Sequence, residues 1–222
     1  MLLPRFRVQG APFLASFARS GVFDLDLTKV PGYCQCSSVT DTTTQLCVRS
    51  FMPWGLKRYY GTGSLHFITW SCYRRKPLLA NPARRDLLLA VLELMRVRYR
   101  FAVIGYVVMP EHVHLLISEP LIGDPSKIIQ AVKLSVSRRL AIAGEFSGRF
   151  WQSRFYDFNL WGQQKEVEKL KYMHRNPVVR GLVATPEDWR SSSCRSYAYG
   201  EAGLVRINDW SWWEEKIRRS AG

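Results

Sequence analysis

Phe101 to Met109, FAVIGYVVM, limits the fold more than any other stretch. It is nearly all apolar, as a central strand buried on both faces should be, and too short to cross a bilayer, which takes about 20 apolar residues. Pro110-Glu111 then turns the chain, and His112 to Ser118, HVHLLIS, reads as the next strand. Gly105 interrupts the apolar run, the one position in it without a side chain to pack.

The flanking segments alternate in period. Leu65 to Tyr73 is rich in β-formers and predicts a strand. Asn81-Pro82 opens a helix whose stripe is Leu88, Val91, Leu92, Met95 and Tyr99. Asp124-Pro125 opens a second, with Ile129, Val132, Val136 and Leu140 toward the core. Arg149 to Asn159 reads as a fourth strand, and Gln163 to Asn176 as a third helix stopped by Pro177. The order β-α-β-β-α-β is the ferredoxin-like split unit, an α+β fold with an antiparallel sheet, here followed by a further helix.

Residues 1–51 differ in texture and predict a loosely structured extension, with Met52 as an alternative start of the chain. Residues 52–200 are expected to form the domain, and 201–222 a Trp-rich tail. Ala11 to Ala18, behind Arg5 and Arg7, imitates a signal peptide but is short and closed by Arg19. The chain has 32 Lys plus Arg against 18 Asp plus Glu, a net charge of +14. Segment 1–51 holds only 5 of the basic and 3 of the acidic residues, so the positive field belongs to the rest, together with all eight Trp. A basic, aromatic-rich domain suits a polyanion, because Lys and Arg neutralise phosphates and rings stack on unpaired bases. The five cysteines are odd in number, scattered and without a CxxC pair, which fits a reducing cytosol.

Three segments carry chemistry. In Glu111-His-Val-His, strand alternation puts His112 and His114 on one face, about 7 Å apart along the strand, where both imidazoles can reach one divalent ion. The pair alone equally suits two ordinary sheet histidines, and His66 is structural by default. On the third helix Val167, Leu170, Met173 and His174 form the packing stripe. Tyr172 lies off it, aligned with Lys165, Glu168, Lys169 and Asn176. The amide oxygen of Asn176 would be a hard third ligand, and two His with an amide oxygen suit Mg²⁺ or Mn²⁺ better than a closed zinc site. The third segment, Arg149-Phe-Trp-Gln-Ser-Arg-Phe-Tyr-Asp-Phe158, interleaves basic and aromatic residues. It offers Arg149, Trp151, Gln152, Arg154 and Tyr156 to phosphates and bases, or else it is an aromatic core strand with Arg at its ends.

Met109-Pro-Glu-His-Val-His-Leu-Leu, Phe150-Trp-Gln-Ser-Arg-Phe-Tyr-Asp, Glu168-Lys-Leu-Lys-Tyr-Met-His-Arg-Asn-Pro-Val and Pro186-Glu-Asp-Trp-Arg-Ser-Ser follow one another in order and spacing, behind Tyr59-Tyr-Gly-Thr-Gly. Together they resemble the REP-associated tyrosine transposases, single-tyrosine HUH enzymes of small bacterial insertion sequences. The resemblance runs from about Met52 to Gly200. It implies a nuclease domain in which His112 and His114 bind the metal, Tyr172 is the nucleophile and Asn176 the third ligand, where related transposases often carry Gln. Glu111 departs from the Asn that many relatives have there. The implied substrate is single-stranded hairpin DNA, cleaved through a 5′-phosphotyrosine, with Lys165, Lys169 and Arg175 binding the DNA and helping to ionise the phenol. The implied protein is a monomer or homodimer, cytoplasmic and nucleoid-associated, with no membrane partner. The rival readings are a replication initiator or relaxase, a metallophosphoesterase using water, and a non-catalytic single-stranded nucleic-acid-binding protein.

Overall fold

The structure, a computed structural model, describes residues 59–220; the extension expected over 1–51 lies outside the described residues. Four strands form one antiparallel sheet: β1 (Leu65–Cys72), β2 (Val103–Val108), β3 (His112–Ser118) and β4 (Trp151–Leu160). Their order is β2-β3-β1-β4, the ferredoxin-like arrangement the alternating periods predict. The helices are α1 (Pro82–Tyr99), α2 (Pro125–Ile142), α3 (Gln163–Val179), α4 (Cys194–Tyr199) and α5 (Ser211–Ser220).

The helix starts are local chemistry. Asn81 caps α1 by accepting from the Ala83 N–H at 2.9 Å, and Asp124 caps α2 by accepting from Lys127 N–H at 3.0 Å. Pro follows each cap, where its missing N–H costs nothing. The stripes of α1 and α2 cover one face of the sheet, closing a core with Ile68, Trp70, Val113, Leu115, Ile117 and Phe150. The opposite face carries Phe67, Ile104, Val107 and Leu116, and α3 lies on it through Leu170 and Met173.

Two boundaries differ from expectation. β4 begins at Trp151 rather than Arg149; the Phe150 carbonyl still accepts from Tyr73 N–H at 2.8 Å while its ring packs edge-on against Phe146 in the core. α3 passes through Pro177 and ends at Val179. Pro177 forfeits only the bond to the Met173 carbonyl, and the last turn is closed by Arg180 N–H donating to the Asn176 carbonyl at 3.0 Å.

Gly105 explains how closely α3 approaches. A Cβ there would run into the δ-methyl of Leu170 and stand 3.0 Å from Met173 Cε, so the interruption in the apolar strand is the seat of the helix. Gly105→Val is expected to destabilise the domain by about 1–3 kcal/mol or more through overpacking, read as a lower urea midpoint.

His174, on the same helix, turns inward and meets Ser193 Oγ at 2.9 Å. Burial pushes its imidazole down to about 4. Between pH 6.5 and 4 the unfolded chain therefore takes up a proton that the folded protein refuses, and stability falls as pH falls, by up to about 3 kcal/mol for this group. Denaturation midpoints measured from pH 7.5 to 4.5 should show a shallower pH slope in His174→Gln than in the wild type.

His66 is structural. It is fully buried on the α1/α2 face, with Nδ1 2.9 Å from Asp157 Oδ1. Around it, Asn159 grips both backbone groups of Tyr59, and the Glu119 carboxylate accepts from Thr62 and Gly63 N–H, so polar side chains hold the Tyr59–Gly63 segment to the sheet. Beyond Gly200, Val205 is buried, Asn208 N–H donates to the Val103 carbonyl at 2.8 Å, and the Arg96 guanidinium lies over the Trp212 ring while pairing with Asp209. Trp210 also packs, against the α3-side core; the side chain of Trp213 lies outside the described residues. Cys72 and Cys194 are free, buried thiols, each pushed up to about 12 by burial. Among the described residues no helix is long and apolar enough to cross a membrane.

Candidate active site

Strand parity decides which side chains meet α3. In the β1–β3 ladder Thr69 pairs with His114 and Ser71 with His112, and in β1–β4 Thr69 pairs with Tyr156 and Phe67 with Phe158. Partners in a ladder share a face, so both histidines, Thr69, Phe67, Tyr156 and Phe158 lie on the α3 side.

There the imidazoles converge. His112 Nε2 and His114 Nε2 stand 3.0 Å apart, and the Asn176 carboxamide reaches His114 Nε2 at 2.9 Å. Each ring is turned by its other nitrogen. His112 Nδ1 lies 3.1 Å from Glu111 Oε1, and His114 Nδ1 lies 2.8 Å from Thr69 Oγ1. A carboxylate only accepts, so His112 carries its proton on Nδ1 and aims the Nε2 lone pair inward. His114 does the same when it donates to Thr69. Burial holds His114 well below the usual histidine range, with Arg75 and Lys169 acting in the same direction, so it stays neutral.

Two lone pairs facing each other at 3.0 Å call for a positive charge between them, a proton or a metal ion. Adjacent ligands of an octahedral ion with bonds of about 2.1 Å stand about 3.0 Å apart, which is the separation observed. Among the described residues no three His, Cys, Asp or Glu side chains form a metal cluster. The third donor here is an amide. It is the amide nitrogen of Asn176 that faces His114, and a half-turn of the carboxamide exchanges it for Oδ1.

Tyr172 stands beside this cluster. Its ring meets His114 edge-on at 5.6 Å and Phe67 at 6.3 Å, yet the residue is 53% exposed. The Lys169 ammonium lies 5.5 Å from its centroid. Partial burial pushes the phenol above its ordinary value, and Arg75 pulls it back. The cations expected to ionise Tyr172 are thus sorted. Lys169 lies on the ring, Lys165 is engaged by Glu168 at 3.0 Å, and Arg175 is an exposed residue of α3. Arg75, which no pattern in the sequence singles out, acts on both Tyr172 and His114.

The family model described as "Transposase IS200 like" matches residues 60–176, more than half of the chain, and its span contains both histidines, Tyr172 and Asn176. The chain belongs to this family of DNA-cleaving transposases. It is 26% identical over 138 residues to the REP-associated tyrosine transposase of Escherichia coli K12, covering 62% of this chain and 80% of that protein. It is 29% identical over 105 residues to a putative REP-associated tyrosine transposase of Haemophilus influenzae, covering 43% and 60% respectively. Its fold is similar to the solved structure of a REP-associated tyrosine transposase bound to a REP hairpin, with a TM-score of 0.54 at 24% identity, covering 69% of this chain and 90% of that one. The family is generally metal-dependent.

The remaining residues expected to touch nucleic acid separate on this transposase fold. Trp151 is corrected to a core residue. It is 7% exposed, its indole N–H donates to the Lys133 carbonyl at 3.0 Å, and its ring packs on Trp70 and Phe150 from the α1/α2 side. Arg149 is exposed, with its guanidinium over the Tyr73 ring. Gln152 is half-buried and Arg154 exposed. Tyr156 lies on the site face, stacked with the partly exposed Phe158, and Trp161 follows them in the open. Phe158 and Trp161 were missing from the sequence-based set, although the same aromatic run contains Phe158.

Proposed function

We propose that this transposase is a metal-dependent single-stranded DNA endonuclease and strand transferase that cuts beside REP-type hairpins through Tyr172. The observation that carries the reading is the meeting of Tyr172 with three convergent donors, His112 Nε2, His114 Nε2 and the Asn176 amide, all from one chain. The hairpin comes from the relatives, whose names place them on REP elements.

His112, His114 and Asn176 would hold Mg²⁺ or Mn²⁺, which supplies Lewis acidity at the scissile phosphate. Tyr172 Oη attacks phosphorus, the P–O3′ bond breaks, and the 3′ oxygen leaves to become a 3′ hydroxyl. The phenolic proton goes to solvent and the leaving 3′ oxygen takes one from solvent, since among the described residues no carboxylate or imidazole is hydrogen-bonded to Tyr172. The tyrosyl 5′-phosphate keeps the energy of the broken diester, so an incoming 3′ hydroxyl can reverse the step without ATP. Lys169 and Arg75 stand where they neutralise the phosphate charge.

The strand's path follows from exposure and charge. Tyr156, Phe158 and Trp161 offer faces to unpaired bases, and Arg154, Lys165, Lys169 and Arg175 flank them for phosphates. Arg149 and Gln152 extend that path at the start of β4. Such a substrate would keep the protein in the cytoplasm with the nucleoid. The domain proposed to do this spans 52–200, and the segment after Gly200, expected as a tail, is packed onto it through Val205, Asn208 and Trp212.

The test is incubation of the protein and Mn²⁺ with labelled single-stranded hairpins from its own genome, resolved on a denaturing gel. A covalent protein–DNA band lost on chelation is the expected result. Tight hairpin binding without any adduct across several hairpins would instead favour the non-catalytic binding protein.

A further inference from the structure

We propose that Glu111, clamped by Arg180, is a positioning residue for the metal centre and joins the strand that carries the histidines to the helix that carries Tyr172 and Asn176. The inference rests on the metal site proposed above.

Glu111 occupies the turn between β2 and β3, and its backbone is already fixed, with the carbonyl accepting from Cys72 N–H at 2.9 Å. Its side chain is nearly buried, an expensive place for a carboxylate unless it is paired and hydrogen-bonded. It is both. Oε1 meets His112 Nδ1 at 3.1 Å and Arg180 Nη2 at 3.0 Å, and these two contacts hold the carboxyl below the usual carboxylate range.

Arg180 in turn caps α3, its backbone N–H donating to the carbonyl of Asn176. A continuous chain of contacts therefore runs from Asn176 through Arg180 and Glu111 to His112. One end supplies an amide donor and the other an imidazole, and their distance apart sets the size of the site. A carboxylate on the far nitrogen of a metal-binding imidazole does two things. It fixes the tautomer that leaves Nε2 free, and it makes that nitrogen a stronger base. The charge of Glu111 lies at Nδ1, on the opposite side of the His112 ring from Nε2, where it can strengthen cation binding without occupying the metal-facing side. His114 has only the neutral Thr69 hydroxyl in the corresponding place, so the two histidines are unequally supported.

The test uses the full chain, metal-free and without DNA. Mn²⁺ is titrated and free Mn²⁺ read by electron paramagnetic resonance, while the histidine ¹⁵N spectrum of the metal-free protein reports the tautomer of His112. Glu111→Gln, which keeps the shape and loses the charge, should weaken Mn²⁺ binding about 10–100-fold. Arg180→Gln should weaken it in the same direction by less, since the carboxylate remains. In the wild type His112 should be protonated at Nδ1, and in Glu111→Gln the proton should redistribute toward Nε2. Affinity in Glu111→Gln within about twofold of the wild type overturns the proposal. If neither protein binds Mn²⁺, the metal-site reading itself has failed. The spectrum then decides on positioning alone, and an unchanged His112 tautomer in Glu111→Gln overturns it.

Discussion

Tyr172→Phe is expected to abolish the protein–DNA adduct and cleavage, at least about 10⁴-fold, while hairpin affinity and folding stay close to the wild type. The expectation divides the residue by atom. Its contacts with His114, Phe67 and the Lys169 ammonium are made by the ring, and phenylalanine keeps the ring. Only Oη is lost, and Oη is the atom that bonds to phosphorus. With 53% of the residue exposed, little stability depends on the hydroxyl, and the urea midpoint should move by no more than about 0.5 kcal/mol equivalent. The two readouts separate the rival chemistries. A metallophosphoesterase that activates water would cleave normally in Tyr172→Phe and never form an adduct. A binding protein would bind equally well and cleave in neither form.

The pH response of that reaction follows from the same surroundings. Partial burial raises the phenol above its ordinary value, so the free protein does not present a ready phenolate at neutral pH. Arg75 is the cation that opposes this, which makes the turn after β1, Tyr73–Arg75, part of the site.

How much of this the sequence revealed depended on whether the signal was local. The β-α-β-β-α-β order follows from periods of two and near four, and Asn81-Pro82 and Asp124-Pro125 mark helix starts by chemistry confined to three or four residues. The histidine pair was legible for the same reason, since i and i+2 on a strand share a face whatever the strand pairs with. Trp151 shows the limit. Basic and aromatic residues alternate through Arg149–Phe158, but an alternating strand has two faces, and nothing within it says which one meets α1 and α2. Parity sends Trp151 and Phe155 into the core and leaves Tyr156 and Phe158 on the site face. Thr69 and Arg180 were invisible because their roles depend on ladder register and on where α3 ends. The end of α3 lies past the expected stop, since a proline in the last turn removes one bond and need not stop the helix.

His112→Ala and His114→Ala should each lower metal-dependent cleavage by about 10³-fold or more, the equivalent of several kcal/mol of lost Lewis-acid stabilisation. Hairpin binding should survive in both, because the cations and rings proposed to hold DNA lie outside the pair. The two variants should differ in stability. His114 packs on Phe67 in a stacked contact and is hydrogen-bonded at both nitrogens, to Thr69 on one side and to Asn176 on the other. Its removal leaves a cavity beside α3 and unpairs two polar groups, Thr69 and Asn176, whereas removing His112 leaves Glu111 its bond with Arg180. His114→Ala should therefore melt at a lower temperature than His112→Ala while both lose activity to a similar degree. Added chelator should abolish wild-type cleavage and change neither variant further. Robust cleavage by either histidine variant, still sensitive to chelator, would place the ion elsewhere and sink the assignment. Chelator-insensitive cleavage by the wild type would remove the metal from the reaction altogether, leaving charge stabilisation at Tyr172 to cations such as Arg75 and Lys169.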